Sequence, residues 1–169
     1  MSRPERIVLC AIDGLRPDAL IQAEAPVIRR LMTDGAYTLR AQAVVPSISL
    51  PCYVSMFCGV TPVRHGTVSN VWSAPQPPVS SLLDVAHAAG RSTASFYNWE
   101  ELRDLSRPGS LDMAYFCALG DPEGDSDLEI GAAAAAYLAN HAPTLAFVYL
   151  GALDEVGHRH GWMTAPYLQ

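Results

Sequence analysis

The chain has 169 residues, of which 50% are hydrophobic and 17% are charged, a composition typical of folded globular proteins rather than disordered or fibrous ones. A chain of this length buries about two-thirds of its unfolded surface, so we expect a single domain over residues 1–169. Eleven basic and seventeen acidic residues give a net charge of −6 without a Lys/Arg cluster, which argues against nucleic-acid binding through bulk charge.

Apolar segments and cysteines bear on the location of the protein. The N-terminal apolar run is interrupted by Asp13 after about seven residues, too few for a signal h-region. No apolar run approaches the roughly 20 residues of a membrane span. Four cysteines, Cys10, Cys52, Cys58 and Cys117, form no C-x-x-C pair, and free thiols are the simplest interpretation. We therefore expect a cytoplasmic protein that does not bind a membrane.

The first half of the chain alternates strand and helix patterns. Residues 6–12 are an apolar run that predicts a buried parallel strand ending at Asp13. A proline opens and a glycine closes a predicted helix at 26–35. Alternation of apolar and polar residues predicts a strand at 37–43. A second helix is predicted at 49–59, with its first serine as the N-cap.

The second half continues the alternation. Helices are predicted at 81–89 and 126–140, the latter opened by a Ser-x-x-Glu capping box, and strands at 92–97, 113–118 and 144–150. Polar, turn-rich stretches predict loops at 72–80, 100–112 and 119–127. Strands that alternate with helices predict an α/β fold, with a mainly parallel central sheet that helices cover on both faces.

Three segments carry candidate functional residues, and the first is Ile12-Asp-Gly-Leu-Arg-Pro-Asp18. Asp13 comes at the carboxyl end of a predicted strand, the edge where α/β folds place their sites. A carboxylate beside a flexible glycine can reach a metal ion, although such aspartates commonly cap a turn instead.

The second segment is Pro46-Ser-Ile-Ser-Leu-Pro-Cys52, followed by a His-Gly pair and an asparagine. A helix N-terminus and a bound divalent cation both favour the alkoxide of a serine, which makes the hydroxyl a usable nucleophile. Ser49 holds that position and Ser47 is its rival, while plain N-capping is the alternative role of Ser49. We expect His65 to fix the loop that carries Asn70, with direct substrate contact as the alternative.

The third segment, Leu153-Asp-Glu-Val-Gly-His-Arg-His-Gly161, follows a predicted strand. Asp154 and His158 are four residues apart, so one helical turn would point both side chains the same way, a usual spacing for metal chelation. His160 is a competing ligand and Glu155 a weaker one. Solvated polar residues on a loop would show a similar pattern.

Together these segments resemble the type I phosphodiesterase and nucleotide pyrophosphatase branch of the alkaline phosphatase superfamily. The first metal aspartate of that family lies in a strand-end Asp-Gly motif like that at Asp13. The family's nucleophile precedes an apolar-Pro pair that opens a helix, and Leu50-Pro51 looks like that pair. The resemblance therefore implies Ser49 as the nucleophile.

The remaining family motifs are similar to two later segments. His65-Gly66 leading to Asn70 resembles the segment whose asparagine donates to the phosphoryl oxygen. Asp154-Glu-Val-Gly-His158 is similar to the family's Asp-x-x-Gly-His metal pair. The resemblance spans nearly the whole chain.

The resemblance implies a metal-dependent hydrolase that acts on a small phosphoester through a phosphoserine intermediate on Ser49. Of two divalent ions, expected to be zinc with manganese as the alternative, Asp13 and Ser49 would serve one. Asp154 and His158 would serve the other, and Asn70 would donate to a non-bridging oxygen. Each ion then has two protein ligands, whereas catalytic zinc usually has about three. The family's later Asp-His-Gly motif and a further histidine do not follow, so we expect a fold that is incomplete at its C-terminus.

Several alternatives stay open. A sulfatase shares the fold, but no arginine follows Ser49 at the Cys/Ser-x-Pro-x-Arg spacing of sulfatases. A phosphomutase would retain the serine and the metals, and a binding module would keep the α/β core without catalysis. Leu50 stands where nucleotide pyrophosphatases often have an aromatic residue, which weakens the nucleotide assignment. Homo-oligomer formation is left open.

Overall fold

A four-stranded parallel sheet forms the centre of the structure, a computed structural model that describes residues 5–74, 78–120 and 126–169. Its strands are β1 (Ile7–Ile12), β2 (Thr93–Tyr97), β3 (Met113–Phe116) and β4 (Leu145–Leu150). They lie in the spatial order β1-β4-β2-β3, and all neighbours are parallel. The predicted α/β fold with a parallel sheet is confirmed, as are the four strand predictions that correspond to these strands.

Helices occupy the connections between the strands. The described residues include α1 (Ala19–Gln22), α2 (Pro26–Asp34), α3 (Ser49–Cys58), α4 (Pro62–His65), α5 (Leu82–Ala88), α6 (Ser126–His141), α7 (Ala152–His160), α8 (Ala165–Leu168) and a 3-10 helix at Glu100–Leu105. The four predicted helices correspond to α2, α3, α5 and α6. Three one-turn helices, α1, α4 and α8, were not predicted, because four residues are too few to show a helical period.

Helices cover both faces of the sheet because β4, at its centre, is apolar on both sides. Successive strand residues point to opposite faces. Phe147 and Tyr149 pack in the cluster that contains the buried hydrophobic residues of α3. Ala146 and Val148 pack in the cluster that contains the buried hydrophobic residues of α6. The nearly continuous apolar sequence of β4 is typical of a parallel strand that is buried on both faces.

The strand prediction at 37–43 is wrong. The backbone there is irregular, and Tyr37, part of the alternating pattern, is 63% exposed. Alternation shows only that one side of a segment is more apolar than the other. A strand also needs a neighbour that accepts and donates backbone hydrogen bonds, and no described strand pairs with this segment.

Two further details differ from the sequence predictions. The predicted loop at 100–112 contains the 3-10 helix, whose Leu102 and Leu105 are both 3% exposed. Ser126, predicted to open a capping box, is the first residue of α6, and its hydroxyl accepts a hydrogen bond from Asn98 at 3.3 Å. Glu129 accepts instead from the Tyr115 hydroxyl at 2.5 Å. The predicted loops at 72–80 and 119–127 include residues 75–77 and 121–125, which lie outside the described residues.

Cysteines and helix lengths complete the description of the chain. All four cysteines are free thiols. Over the described ranges, none of the helices combines the length with the apolar character that a membrane crossing requires.

Candidate active site

Five residues singled out from the sequence line one cleft at the carboxyl edge of the sheet. The cleft has a volume of about 160 Å³. Asp13, Ser49, Asn70, Asp154 and His158 line it together with Trp99, Leu119, Tyr149, Gly151 and Glu155. A larger groove of about 610 Å³ lies along α3 and contains none of the five. Residues from the whole length of the chain thus meet at one place.

Asp13 is held at the junction of β1 and β4. Ile12 and Leu150 are paired at the ends of these strands, and the Asp13 amide donates to the Leu150 carbonyl at 2.9 Å. Its carboxylate accepts two hydrogen bonds, from the Tyr149 hydroxyl to Oδ2 at 2.7 Å and from the Gly14 amide to Oδ1 at 3.1 Å. Burial, followed by the charge of Asp13, raises the pKa of Tyr149. The tyrosine therefore stays protonated and can donate.

Gly14 brings the loop after β1 against α7. Its φ is +70°, and a Cβ there would lie 2.7 Å from the Cα of Asp154. Only a residue without a side chain fits at this distance, since carbon atoms pack at about 3.5–4.0 Å. The contact puts Asp13 and Asp154 side by side. Burial and then the charge of Asp13 raise the pKa of Asp154, while His158 opposes that shift.

Asp154 and His158 lie on one face of α7, as their spacing predicts. The Asp154 Oδ2 and the His158 Nε2 are 3.5 Å apart. The side chain of Asp154 is 25% exposed and that of His158 is 69% exposed, so the pair reaches from the partly buried floor of the cleft to solvent. Glu155 also lines the cleft, whereas His160 is exposed and is not among the lining residues.

Trp162 packs against the same helix. Its ring lies edge-on to that of His158 at a centroid distance of 5.4 Å. A Cβ on Gly157 would come within 2.2 Å of the Trp162 ring, so the glycine of the Gly-His pair leaves room for the indole. The Gly-His pair thus combines a candidate ligand with the small residue that lets an aromatic ring pack next to it.

Ser49 is the first residue of α3, and this corrects its assignment as the N-cap. The N-cap is Ile48, which makes no side-chain cap hydrogen bond. The Leu50 amide donates instead to the Asn70 Oδ1 at 3.0 Å, so Asn70 satisfies an N-terminal donor of the helix. This leaves the two amide N–H groups of Asn70 as its hydrogen-bond donors. Ser47, the rival nucleophile, is exposed and does not line the cleft.

His65 lies apart from the cleft and inside the protein. It is 0% exposed, and its Nδ1 accepts from the Thr67 amide at 3.1 Å. Its Nε2 is 2.8 Å from the Ser55 hydroxyl. Burial lowers the pKa of His65. This neutral, buried imidazole ties α3 to the chain that leads to Asn70, an arrangement that supports the loop-fixing interpretation.

Trp99 and Tyr149 line the cleft but were not identified from the sequence. Their rings are stacked at a centroid distance of 6.2 Å and an interplanar angle of 30°. Trp99 follows β2 by two residues, and Tyr149 lies near the end of β4. Their positions at the carboxyl ends of strands were the available signal, since that edge is where α/β folds place ligands.

The cleft offers donors of the types that divalent metal ions bind. Carboxylate oxygens and an imidazole nitrogen suit zinc and manganese, and Asp13, Asp154 and His158 supply them. Over the described part of the chain, no group of three or more His, Cys, Asp or Glu side chains is placed to hold one ion. The donors therefore fit divalent metals in chemical type, with few protein ligands for each ion.

Comparison with known proteins adds a family and a fold. The family model "Type I phosphodiesterase / nucleotide pyrophosphatase" matches residues 7–168. No curated protein sequence matches the chain.

Several solved structures are similar to the chain. Murine ectonucleotide pyrophosphatase / phosphodiesterase 5 matches with a TM-score of 0.76 and 18% identity over 96% of this chain and 47% of its own. Phosphonoacetate hydrolase from Sinorhizobium meliloti 1021, in complex with phosphonoformate, matches with a TM-score of 0.76 and 18% identity over 97% of this chain and 50% of its own. BT4656, in complex with its substrate D-glucosamine-2-N,6-O-disulfate, matches with a TM-score of 0.59 and 14% identity over 96% of this chain and 39% of its own. The likeness shows a shared fold, and the chain spans half or less of each neighbour's length.

Proposed function

Because the chain belongs to the type I phosphodiesterase / nucleotide pyrophosphatase family, we propose that it carries the nucleophile of a metal-dependent phosphodiester hydrolase. The reaction would proceed through a phosphoserine intermediate on Ser49. One observation carries the proposal: five residues from distant parts of the chain, predicted separately, line a single cleft of about 160 Å³.

The position of Ser49 supports its role as nucleophile. It begins the ten-residue helix α3 and lines the cleft. The positive end of a helix dipole stabilises a developing alkoxide there. Asn70 provides the capping interaction, which removes the main structural role proposed for the serine. After its proton passes to solvent, the Ser49 Oγ would form a bond to phosphorus while the bond to the leaving oxygen breaks, and the leaving group would depart as an alkoxide or phenolate. Water would then cleave the phosphoserine, which releases the phosphoryl product and restores the serine hydroxyl.

Asn70 would stabilise charge on the phosphoryl group. Its Oδ1 is engaged by the Leu50 amide, and this fixes which end of the side-chain amide can donate. A donor held in advance at the place where negative charge develops stabilises the transition state without reorganisation. We assign that role to the Asn70 amide.

Four residues would hold the metal ions. Asp13 and Ser49 would serve one ion, and Asp154 and His158 the other, with zinc proposed and manganese as the alternative. When bound, divalent ions favour the alkoxide form of the serine and offset charge on the phosphoryl oxygens. The charge of Asp13, next after burial, raises the pKa of its neighbour Asp154, so bringing these two carboxylates together costs free energy that a bound cation would offset. Two protein ligands for each ion predict weak binding.

The family supports a diester as the substrate class, because the matching family model is described as type I phosphodiesterase / nucleotide pyrophosphatase. The lining includes three carboxylates, Asp13, Asp154 and Glu155, and neither lysine nor arginine. The proposed metal ions would therefore supply the positive charge that a phosphoryl group needs in this cleft. Trp99 gives the cleft an aromatic wall that Leu50 does not provide, and this supports a planar leaving group.

The test is hydrolysis of bis-p-nitrophenyl phosphate and p-nitrophenyl phosphate with added zinc or manganese. We expect metal-dependent release of nitrophenolate, faster from the diester. Replacing the nucleophile in Ser49→Ala should lower the rate at least about 100-fold. Ser47→Ala, an exposed serine two residues earlier, is the matched control and should retain the rate. Retention of the rate in Ser49→Ala would contradict the assignment, whatever the control shows.

A binding module without catalysis is the second candidate. The observation that favours it is the scarcity of ligands, since no described group of three or more metal-binding side chains is placed around one ion. A folded chain that neither binds zinc nor hydrolyses either ester would support this candidate against the hydrolase. The cytoplasmic location stays a prediction, and homo-oligomer formation stays open.

A further inference from the structure

The hydroxyl of Tyr149 makes a direct contact with the first candidate metal ligand. It donates to the Asp13 Oδ2 at 2.7 Å, and the two residues are 136 positions apart in the chain. The other carboxylate oxygen, Oδ1, accepts from the Gly14 amide at 3.1 Å. Two donors, one on each oxygen, define the plane of the carboxylate.

The tyrosine itself is rigidly held. Tyr149 is 2% exposed and lies on the central strand β4. The Tyr53 ring packs edge-on against it at 5.3 Å, and the Trp99 ring stacks on it at 6.2 Å. Gly151 is also close, because a Cβ there would lie 2.9 Å from the Tyr149 ring. Packing on several sides leaves the ring little freedom, so its hydroxyl has a fixed position.

We propose that Tyr149 is a positioning residue that orients the Asp13 carboxylate in the cleft. This role rests on the proposed function, because its benefit lies in metal binding by Asp13. A carboxylate that is already oriented loses less freedom when it binds a cation. Tyr149 is not assigned a chemical step. Its hydroxyl acts through Asp13, in the way that partners outside the ligand shell orient metal ligands.

Tyr149→Phe removes the hydroxyl and keeps the ring. The matched control is Tyr115→Phe, which removes a hydroxyl bonded at 2.5 Å to the exposed Glu129. The first readout is amide hydrogen exchange by NMR without metal. In Tyr149→Phe the Gly14 amide, which depends on the orientation of Asp13, should exchange at least about fivefold faster. Amides of β4 should be unchanged, and the control should show neither effect.

The second readout is zinc affinity of the full chain, measured by competition with a chromophoric chelator. We expect Tyr149→Phe to bind zinc about 10–100-fold more weakly than the unsubstituted chain, and the control to bind equally well. Unchanged Gly14 exchange in a folded Tyr149→Phe chain overturns the positioning role. Faster exchange with equal zinc affinity overturns its link to metal binding.

The two proposals fail in distinguishable ways. If the unsubstituted chain binds no zinc while Tyr149→Phe still accelerates Gly14 exchange, the proposed function fails and the positioning of Asp13 is upheld. A measurement on the unsubstituted chain covers the case in which the variant does not fold. There the Tyr149 hydroxyl proton should exchange more slowly than that of Tyr115, and equal rates contradict the proposal.

Discussion

Replacing Gly14 by alanine tests whether the contact between the loop after β1 and α7 sets the shape of the cleft. The added methyl would lie 2.7 Å from the Asp154 Cα and 3.0 Å from its N and Cβ. Carbon atoms pack at about 3.5–4.0 Å, so the two backbones would have to separate by about 1 Å. Two of these atoms belong to backbone, and a rotamer change cannot relieve the clash.

The expected loss in the free energy of unfolding of Gly14→Ala has two parts. A side chain in the left-handed region, where Gly14 has φ +70°, costs about 1–2 kcal/mol. Forcing a methyl group into packed structure adds about 1–3 kcal/mol. Gly90→Ala is the matched control, because Gly90 has φ +68° and a Cβ there would meet nothing within 4 Å. The control should show only the cost of a side chain in the left-handed region.

Urea unfolding followed by tryptophan fluorescence measures the difference. With a denaturant slope of about 2 kcal/mol per molar urea, the midpoint of Gly14→Ala should lie about 0.5–1.5 M below that of Gly90→Ala. The proposed hydrolysis of the diester should fall about 100-fold in Gly14→Ala, because a displacement of about 1 Å separates groups that would act together. Equal midpoints for the two variants would refute a tight contact between the loop and α7.

Two further predictions concern stability. Burial lowers the pKa of His65, so below its usual value of about 6.5 the unfolded chain binds a proton that the folded chain resists. The contribution of neutral His65 to the free energy of unfolding is fully present above pH about 6.5 and is lost as the pH falls toward the folded pKa. The urea midpoint should therefore drop between pH 7.5 and 5.5, and it should drop less in His65→Gln. An equal drop in the variant would assign the effect to other groups. Phe147 is 1% exposed and lies edge-on to Phe57 at a centroid distance of 4.7 Å. Its replacement by alanine should lower the free energy of unfolding by about 3–5 kcal/mol. Replacing Phe116, which is 44% exposed, by alanine should lower the free energy of unfolding by less than about 1.5 kcal/mol. Similar losses at both positions would contradict the described core.

Elements with a strong local signal could be predicted from the sequence. The apolar run of β4, the proline and glycine that bound α2, and the start of α3 are each contained in a window of about ten residues. The same is true of Asp154 and His158, whose four-residue spacing places them on one face of α7. Polar residues that follow a predicted strand could also be identified as candidate site residues, because the carboxyl edge of a parallel sheet is the usual place for a site.

Features that depend on distant partners could not be predicted. The segment 37–43 alternates as a strand should, yet it lacks a neighbouring strand. Ser49 has the residue type of an N-cap, yet Asn70 supplies the hydrogen bond to the helix N-terminus from a separate loop. In both cases a correct local preference was overridden by which groups tertiary structure placed nearby.

The sequence by itself determined the types of the main elements and the polar residues that follow the strands. Only the tertiary structure decided that β4 lies between β1 and β2, that Gly14 touches α7, and that Tyr149 reaches Asp13. Hydrophobic periodicity records which side of an element is buried, and it carries no information on which element covers that side. Strand order arises from pairing between segments far apart in the chain, and the cleft exists only where those pairings place the strand ends together.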